Sequence, residues 1–263
     1  MKVGIIADVH VASAFGPWPP DAELSVGGKH IPNIGQQYLN EHWYEIAEAI
    51  PPLDVLVLNG DIIGGAEYKD EGRYAVELDP QFQARAAFML LEPFLKKAPV
   101  RFCVEGTEYH EGKSATWAEW MAREIKAVTK DSHCAWDWLL LELGGLKFDI
   151  AHQQSFFMRY PVTVLERELQ YSDMINEQAD VIVRSHAHRY GYIEIPGAGK
   201  IQTALSTPAW QLQSHYCRVS ISPNQKGPLP LGMVILEVDH GEVSHRRFMF
   251  PHPPLRRSVY VTA

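Results

Sequence analysis

The 263-residue chain has no uncharged apolar run of about 18 residues, so no transmembrane helix is expected. The apolar stretch at its start is very short and runs straight into Asp8 and His10, unlike a secretory leader. An intracellular, cytoplasmic protein with no membrane partner is expected. Cysteine is scarce: Cys103, Cys134 and Cys217 are odd in number and widely spaced, which argues against a disulfide framework and a zinc knuckle. No excess of basic residues exists; 24 Lys and Arg against 32 Asp and Glu leave a net charge of −8. Broad electrostatic binding to nucleic acid is disfavoured, though a local basic patch is not. No linker-like stretch and no repeat interrupts the chain, so one domain over 1–263 is expected. At 46% hydrophobic and 21% charged residues, it can build an ordinary core. What stands out is 12 histidines.

Apolar patterning orders the elements. Strands are expected over 2–7, 53–58, 100–104 and 181–183; residues 53–58 (LDVLVL) form the nearly continuous apolar run of a strand buried on both faces. Helices are expected over 36–50, with Trp43, Ile46, Ala47 and Ile50 near one face, from Pro80 to about 97 behind an Asp79 cap, over 116–128 with Thr116 and Glu119 as a capping box, and over 162–178. Hairpins are expected at 136–151 around Gly144-Gly145, at 190–204 and at 233–250. Residues 11–40, dense in Pro and Gly, read as a long loop insertion, and 205–231 as another. The order predicts an α/β fold of two packed mixed β-sheets flanked by helices, an α/β/β/α sandwich.

Five strand ends carry candidate metal ligands: Asp8 and His10, Asp61, Glu108 and His110, His152, and His186 and His188. In an extended strand or tight turn, residues two apart face one side, so Asp8 with His10 and His186 with His188 can each face one centre. Mixed imidazole and carboxylate donors suit manganese, iron, zinc or nickel better than calcium or magnesium. Two metals need a bridging carboxylate, and Asp61 on the central strand is the natural bridge. Singly, each residue has an ordinary explanation as a cap, a turn or a satisfied core histidine; five such coincidences at five strand ends do not. The other histidines, His30 and His42 among them, lack a matching context.

This order of motifs resembles the calcineurin-like metallophosphoesterase superfamily, whose pattern is Asp-x-His, Gly-Asp, Gly-Asn-His-Asp/Glu, a lone His, and Gly-His-x-His. Here it reads Asp8-Val9-His10, Gly60-Asp61, Gly106-Thr107-Glu108-Tyr109-His110, His152, and Ser185-His186-Ala187-His188. The resemblance implies a first metal held by Asp8, His10, Asp61 and His188. It implies a second held by Asp61, His152, His186 and a group from the third block. It also implies that His110 contacts the substrate phosphate and assists the leaving oxygen; apart from the resemblance, Tyr109, Trp18, Trp210 and Tyr190 are candidate pocket-lining aromatics, Tyr109 being the one placed in the substrate site, with core or lid packing as the alternative for each. The third block departs from the pattern: the asparagine is missing and one extra residue separates Gly from His. Glu108 is the favoured replacement ligand and Thr107 the alternative. Gln153 after His152 and Ser185 in place of glycine are milder departures.

The expected function is hydrolysis of a phosphodiester or phosphomonoester by hydroxide held between two divalent transition metal ions, manganese first among iron, zinc, nickel and cobalt. No Ser or Cys nucleophile motif is present. Lys and Arg are scattered, with arginine pairs only at Arg246-Arg247 and Arg256-Arg257, so a nucleotide and a nucleic-acid substrate are both open. The segment Thr207-Pro208-Ala209-Trp210 and the third block look similar to phage and prophage phosphoesterases, which points to nucleic-acid processing. The competing reading is a catalytically inactive scaffold of the same fold. Oligomeric state is not legible.

Overall fold

The computed structural model describes residues 1–66, 71–130, 132–153, 161–174, 178–197, 200–213 and 229–253. The first sheet contains β1 (Lys2–Ile6), β2 (Val55–Asn59), β3 (Val100–Val104), β4 (Ala135–Trp136), β10 (Leu231–Asp239) and β11 (Glu242–Phe250), in the order β11-β10-β1-β2-β3-β4. The second contains β5 (Leu139–Leu143), β6 (Leu146–Ile150), β7 (Val181–Arg184), β8 (Gly191–Pro196) and β9 (Ile201–Ser206), in the order β5-β6-β7-β9-β8. The strands β1 to β4 run parallel, as do β6, β7 and β9, while β10, β11, β5 and β8 pair antiparallel. Both sheets are therefore mixed, as expected.

Residue alternation sorts the cores. Val3, Ile5, Val55 and Val57 face Phe148, Ile150, Val181 and Val183 between the sheets. Ile6, Leu56 and Leu58 point the other way, toward α1 (Ile34–Ala49), α2 (Pro80–Leu95) and α4 (Thr116–Glu124). On the far side of the second sheet, Leu165 and Leu169 of α5 (Pro161–Met174) cover Ile182 and Ala204. The layers are α/β/β/α.

Most expected elements lie within a few residues of their places. Asp79 caps α2, accepting from the Gln81 N–H at 2.8 Å, with Pro80 in the first turn. The early loop ends sooner than expected because Asn33 caps α1, its side chain accepting from Gly35 and Gln36 while the Gln36 side chain returns to the Asn33 N–H. Two expectations differ. Thr116 and Glu119 make no capping box: Ala115 precedes the helix in a left-handed conformation, and the Glu119 carboxylate accepts from the Cys134 and Ala135 amides instead. Trp136 belongs to β4, in the first sheet, so the Gly144-Gly145 hairpin starts only at Leu139; the chain crosses between sheets at 137–138. Cys103 and Cys134 are free and buried. Cys217 and most of the expected late loop lie outside the described residues. Among the described residues no helix is long and apolar enough to cross a membrane.

Candidate metal centre

The parallel strands β1, β2, β3, β6 and β7 deliver their C-terminal ends to one place, where α/β sheets commonly bind ligands. The turns there are unusually bent. Asp8 (φ 52°), His10 (φ 51°), Asp61 (φ 52°), His186 (φ 65°) and His188 (φ 53°) all adopt the left-handed region. Non-glycine residues there cost about 1–3 kcal/mol each, and such strain gathers where side chains must be aimed. The backbone is held from several sides: Asp8 N–H donates to Gly60 O at 3.0 Å, His10 N–H to Asp61 O at 3.1 Å, and Trp210 N–H to Asp8 O at 3.0 Å. Two glycines make room. At Gly60 (φ 78°) a Cβ would strike the His152 ring, and at Gly106 it would strike the backbone nitrogen and Oδ1 of Asp61.

The side chains form two principal groups of three, Asp8–His10–His188 and Asp61–His152–His186, with His10–Asp61–His110 overlapping both. In the first, His188 Nε2 lies 3.2 Å from Asp8 Oδ1 and 3.1 Å from His10 Nε2. In the second, His152 Nε2 lies 3.1 Å and His186 Nδ1 3.9 Å from Asp61 Oδ2. Asp8 Oδ1 joins the groups at 3.8 Å from His152 Nε2.

Each carboxylate commits one oxygen to the protein and leaves the other facing inward. Asp8 Oδ2 accepts from the His186 N–H at 3.1 Å, leaving Oδ1. Asp61 Oδ1 accepts from Thr107 N–H at 2.7 Å and Thr107 Oγ1 at 3.0 Å, while Oδ2, 3.3 Å from the same hydroxyl, faces His152 Nε2. Two histidines are oriented likewise: His152 Nδ1 contacts Asn59 O at 2.7 Å and His110 Nδ1 contacts Gly64 O at 2.6 Å. With Nδ1–H donating to a carbonyl, the Nε2 lone pair faces the centre, the usual way a protein orients a metal-binding histidine.

The facing atoms fit a metal. Asp8 Oδ1, His152 Nε2 and His186 Nδ1 are buried without a hydrogen-bond partner; unsatisfied buried polar atoms are costly and rare unless an ion or water completes them. Imidazole and carboxylate together suit a divalent transition metal. Asp8, His10, Asp61 and His152 are at most 2% exposed, whereas the His110, His186 and His188 side chains open to solvent. Burial and the neighbouring His110 and His188 push the His10 pKa well below its usual value. Burial is the largest single influence and opposes the charged forms of both His152 and Asp61, but it is outweighed by their mutual attraction together with Asp8 and the Asn59 carbonyl on His152, raising its pKa to about 10, and with His110 and His186 on Asp61, holding its pKa well below the usual carboxylate range.

All the sequence-predicted residues except Glu108 and Tyr109 meet here. Glu108 is exposed at the start of the short helix α3 (Glu108–Glu111), outside every ligand group among the described residues; Thr107 is the residue of this block that touches Asp61. The physical reason is that α3 begins directly after Thr107, so the helical turn rotates Glu108 outward. Tyr109 lies behind His110, ring edge-on at 4.7 Å. Ser185, read as a mild departure, has a definite place: Asn59 Nδ2 donates to its Oγ at 2.6 Å, and Oγ lies 2.7 Å from Thr207 Oγ1. Trp18 and Trp210 are fully buried. His30 pairs with Gln36 and His42 packs on Tyr38 and Phe250, neither in a ligand group. One residue the motif reading passed over is Glu111, buried beneath Asp61. Its signal was available, because the family pattern places Asp or Glu directly after the histidine that His110 matches.

No family model and no curated protein matches this chain. Among solved structures, a single-mutant Vps29 from Entamoeba histolytica is similar, at 14% identity and a TM-score of 0.47, covering 95% of this chain and 99% of that one. A novel archaeal phosphodiesterase is similar at 11% identity and a TM-score of 0.47, covering 95% of this chain and 100% of that one. Wild-type Vps29 from Entamoeba histolytica, complexed with zinc, is similar at 13% identity and a TM-score of 0.39, covering 96% and 99%.

Proposed function

We propose that this chain is a cytoplasmic, dinuclear metal-dependent phosphoesterase, hydrolysing a phosphodiester or a phosphomonoester. The observation that carries the reading is the meeting of Asp8–His10–His188 with Asp61–His152–His186, where the buried Asp8 Oδ1, His152 Nε2 and His186 Nδ1 have no hydrogen-bond partner. Manganese is the preferred metal, with iron, zinc, nickel or cobalt also suited to the donor set. Two such cations would neutralise phosphate oxygens and lower the pKa of a bound water toward about 7. In this reading Asp61 would serve both cations, its carboxylate oriented by the Thr107 N–H and hydroxyl. His110, tied to Gly64 O and open to solvent, turns Nε2 toward the incoming phosphate and its leaving oxygen.

A nucleotide or nucleic-acid substrate is favoured by the chain just after His188. Tyr190 follows two residues later, and the exposed Arg247 guanidinium sits 5.7 Å from its ring centroid. A cation beside an aromatic ring suits a phosphate next to a base. A role of the phage and prophage kind in nucleic-acid processing agrees with that chemistry.

The test is elemental analysis joined to a panel of phosphomonoester, phosphodiester and single-stranded DNA substrates. The full chain should retain two metals and cleave at least one class, and Asp61→Ala should lose both metals and all hydrolysis. Two metals retained in Asp61→Ala would overturn the assignment. A wild-type chain holding no metal and cleaving nothing would fit a non-catalytic scaffold instead.

A further inference from the structure

Glu111 is the last residue of α3 and only 3% exposed, yet it belongs to no ligand group. Its carboxylate is divided between two loops. Oε2 accepts from the Gly106 N–H at 2.6 Å, at the exit of β3, and Oε1 accepts from the Ile62 N–H at 3.3 Å, at the exit of β2. Those amides flank the residues that join the loops directly, since Thr107 follows Gly106 and Asp61 precedes Ile62. With the bond from Thr107 N–H to Asp61 Oδ1, the contacts close a ring: Ile62 to Glu111, Glu111 to Gly106, Thr107 to Asp61. Gly106 is pressed so closely between Asp61 and the Glu111 carboxyl carbon that a Cβ would meet both. Below Glu111 lies a cavity of about 10 Å³ among Ile62, Ile63, Cys103, Trp117 and Met121, room for at most one water. The carboxylate is thus walled by apolar groups and held in place by the two amides.

We infer that Glu111 is a positioning residue, whose carboxylate locks the β2 and β3 exit loops together and so fixes which oxygen of Asp61 faces the metal centre. The inference rests on the proposed metal site for its consequence, but the clamp itself stands on the geometry of the polypeptide. Removing it frees Asp61 to rotate and lets Thr107 and His110 drift with α3. Glutamine fills the same space but offers one acceptor, so its NH₂ would meet one of the two amide donors head-on. Aspartate keeps the charge and is one methylene too short to span both amides.

The experiment compares the full-length wild type with Glu111→Gln and Glu111→Asp. In metal-free protein, hydrogen exchange at the Gly106 and Ile62 amides should be slow in the wild type and at least about tenfold faster in each variant. Titration with cobalt should show the cation at Asp61 bound about 10–100-fold more weakly, the usual range for loss of an outer partner. The cobalt visible spectrum should shift, and on a model phosphodiester kcat should fall with KM little changed. A core-filling role predicts a lower melting temperature alone, with unchanged cobalt affinity and spectrum, and that result would overturn the inference. Fast exchange at both amides in the wild type would refute the clamp even if a variant failed to fold. A wild type that binds no cobalt would defeat the proposed function, while the exchange data would still decide the clamp.

Discussion

His10 Nε2 and His188 Nε2 lie 3.1 Å apart, although the residues are separated by 178 positions and hang from strands of opposite sheets. At that distance one neutral ring can donate its Nε2–H to the other, and a cation held by both lone pairs would take that proton's place, with Asp8 Oδ1, 3.2 Å from His188 Nε2, as a third donor. His188→Ala should therefore reduce the bound metal from two per chain to one, sparing the Asp61–His152–His186 group. Elemental analysis after dialysis reads this directly, and two metals retained would remove His188 from the ligand set.

Thr107 and Glu108 exchange the ranks that sequence reading assigned them. Glu108→Gln should leave both metal affinities within about twofold, because the side chain is exposed and outside the ligand groups. Thr107→Val deletes the hydroxyl 3.0 Å from Asp61 Oδ1 and should weaken the Asp61 site about tenfold, the low end for losing an outer partner. Stepwise titration of both variants checks the pair, and the opposite ranking would restore Glu108 as the ligand.

For His110 the question is whether it binds metal or serves substrate. It lies 3.9 Å from Asp61 Oδ2 and opens to solvent, so the substrate role is favoured. His110→Ala should keep both metals and lower turnover by about 10²–10⁴, as expected for a lost proton-transfer group. Loss of a metal in this variant would instead make His110 a ligand.

Metal-free stability should depend on pH through His152. Its folded pKa, about 10, lies above the unfolded value of 6.5 because Asp61 and Asp8 outweigh the burial that opposes protonation. A raised folded pKa means the contribution is complete below the unfolded value and is lost as pH rises through the folded one. Chelator-treated protein should thus lose stability between about pH 6.5 and 10, more steeply than His152→Gln under the same conditions. Denaturant midpoints across that range test it, and parallel curves for the two proteins would contradict it.

The ligand types and their order were legible because each sits where an apolar run ends, and such runs can be read locally. The layer order was legible for the same reason: the nearly uniform run before Asn59 marks a strand buried on both faces, and alternation elsewhere marks exposed edges. Asp79 capping α2 is also local, a matter of one side chain and the amides just after it. What failed locally failed for identifiable causes. Thr116 and Glu119 have capping-box spacing, but Glu119 finds better donors in the Cys134 and Ala135 amides, far along the chain. Glu108 is the stronger ligand by chemistry, yet the helical turn after Thr107 points it to solvent.

Tertiary structure alone decided which oxygen or nitrogen of each residue is free. The inward aim of Asp61 Oδ2 depends on Thr107 from the next strand, that of Asp8 Oδ1 on the His186 amide from the other sheet, and that of His152 Nε2 on the Asn59 carbonyl. The role of Glu111 is of the same kind, since its two partners come from different loops. Sequence by itself determined the inventory of donors and the strand ends that carry them, because apolar periodicity and residue chemistry are properties of short segments. The aim of each donor needed the fold, because a hydrogen bond that holds one atom of a side chain, and thereby releases another, comes from wherever packing brings a partner.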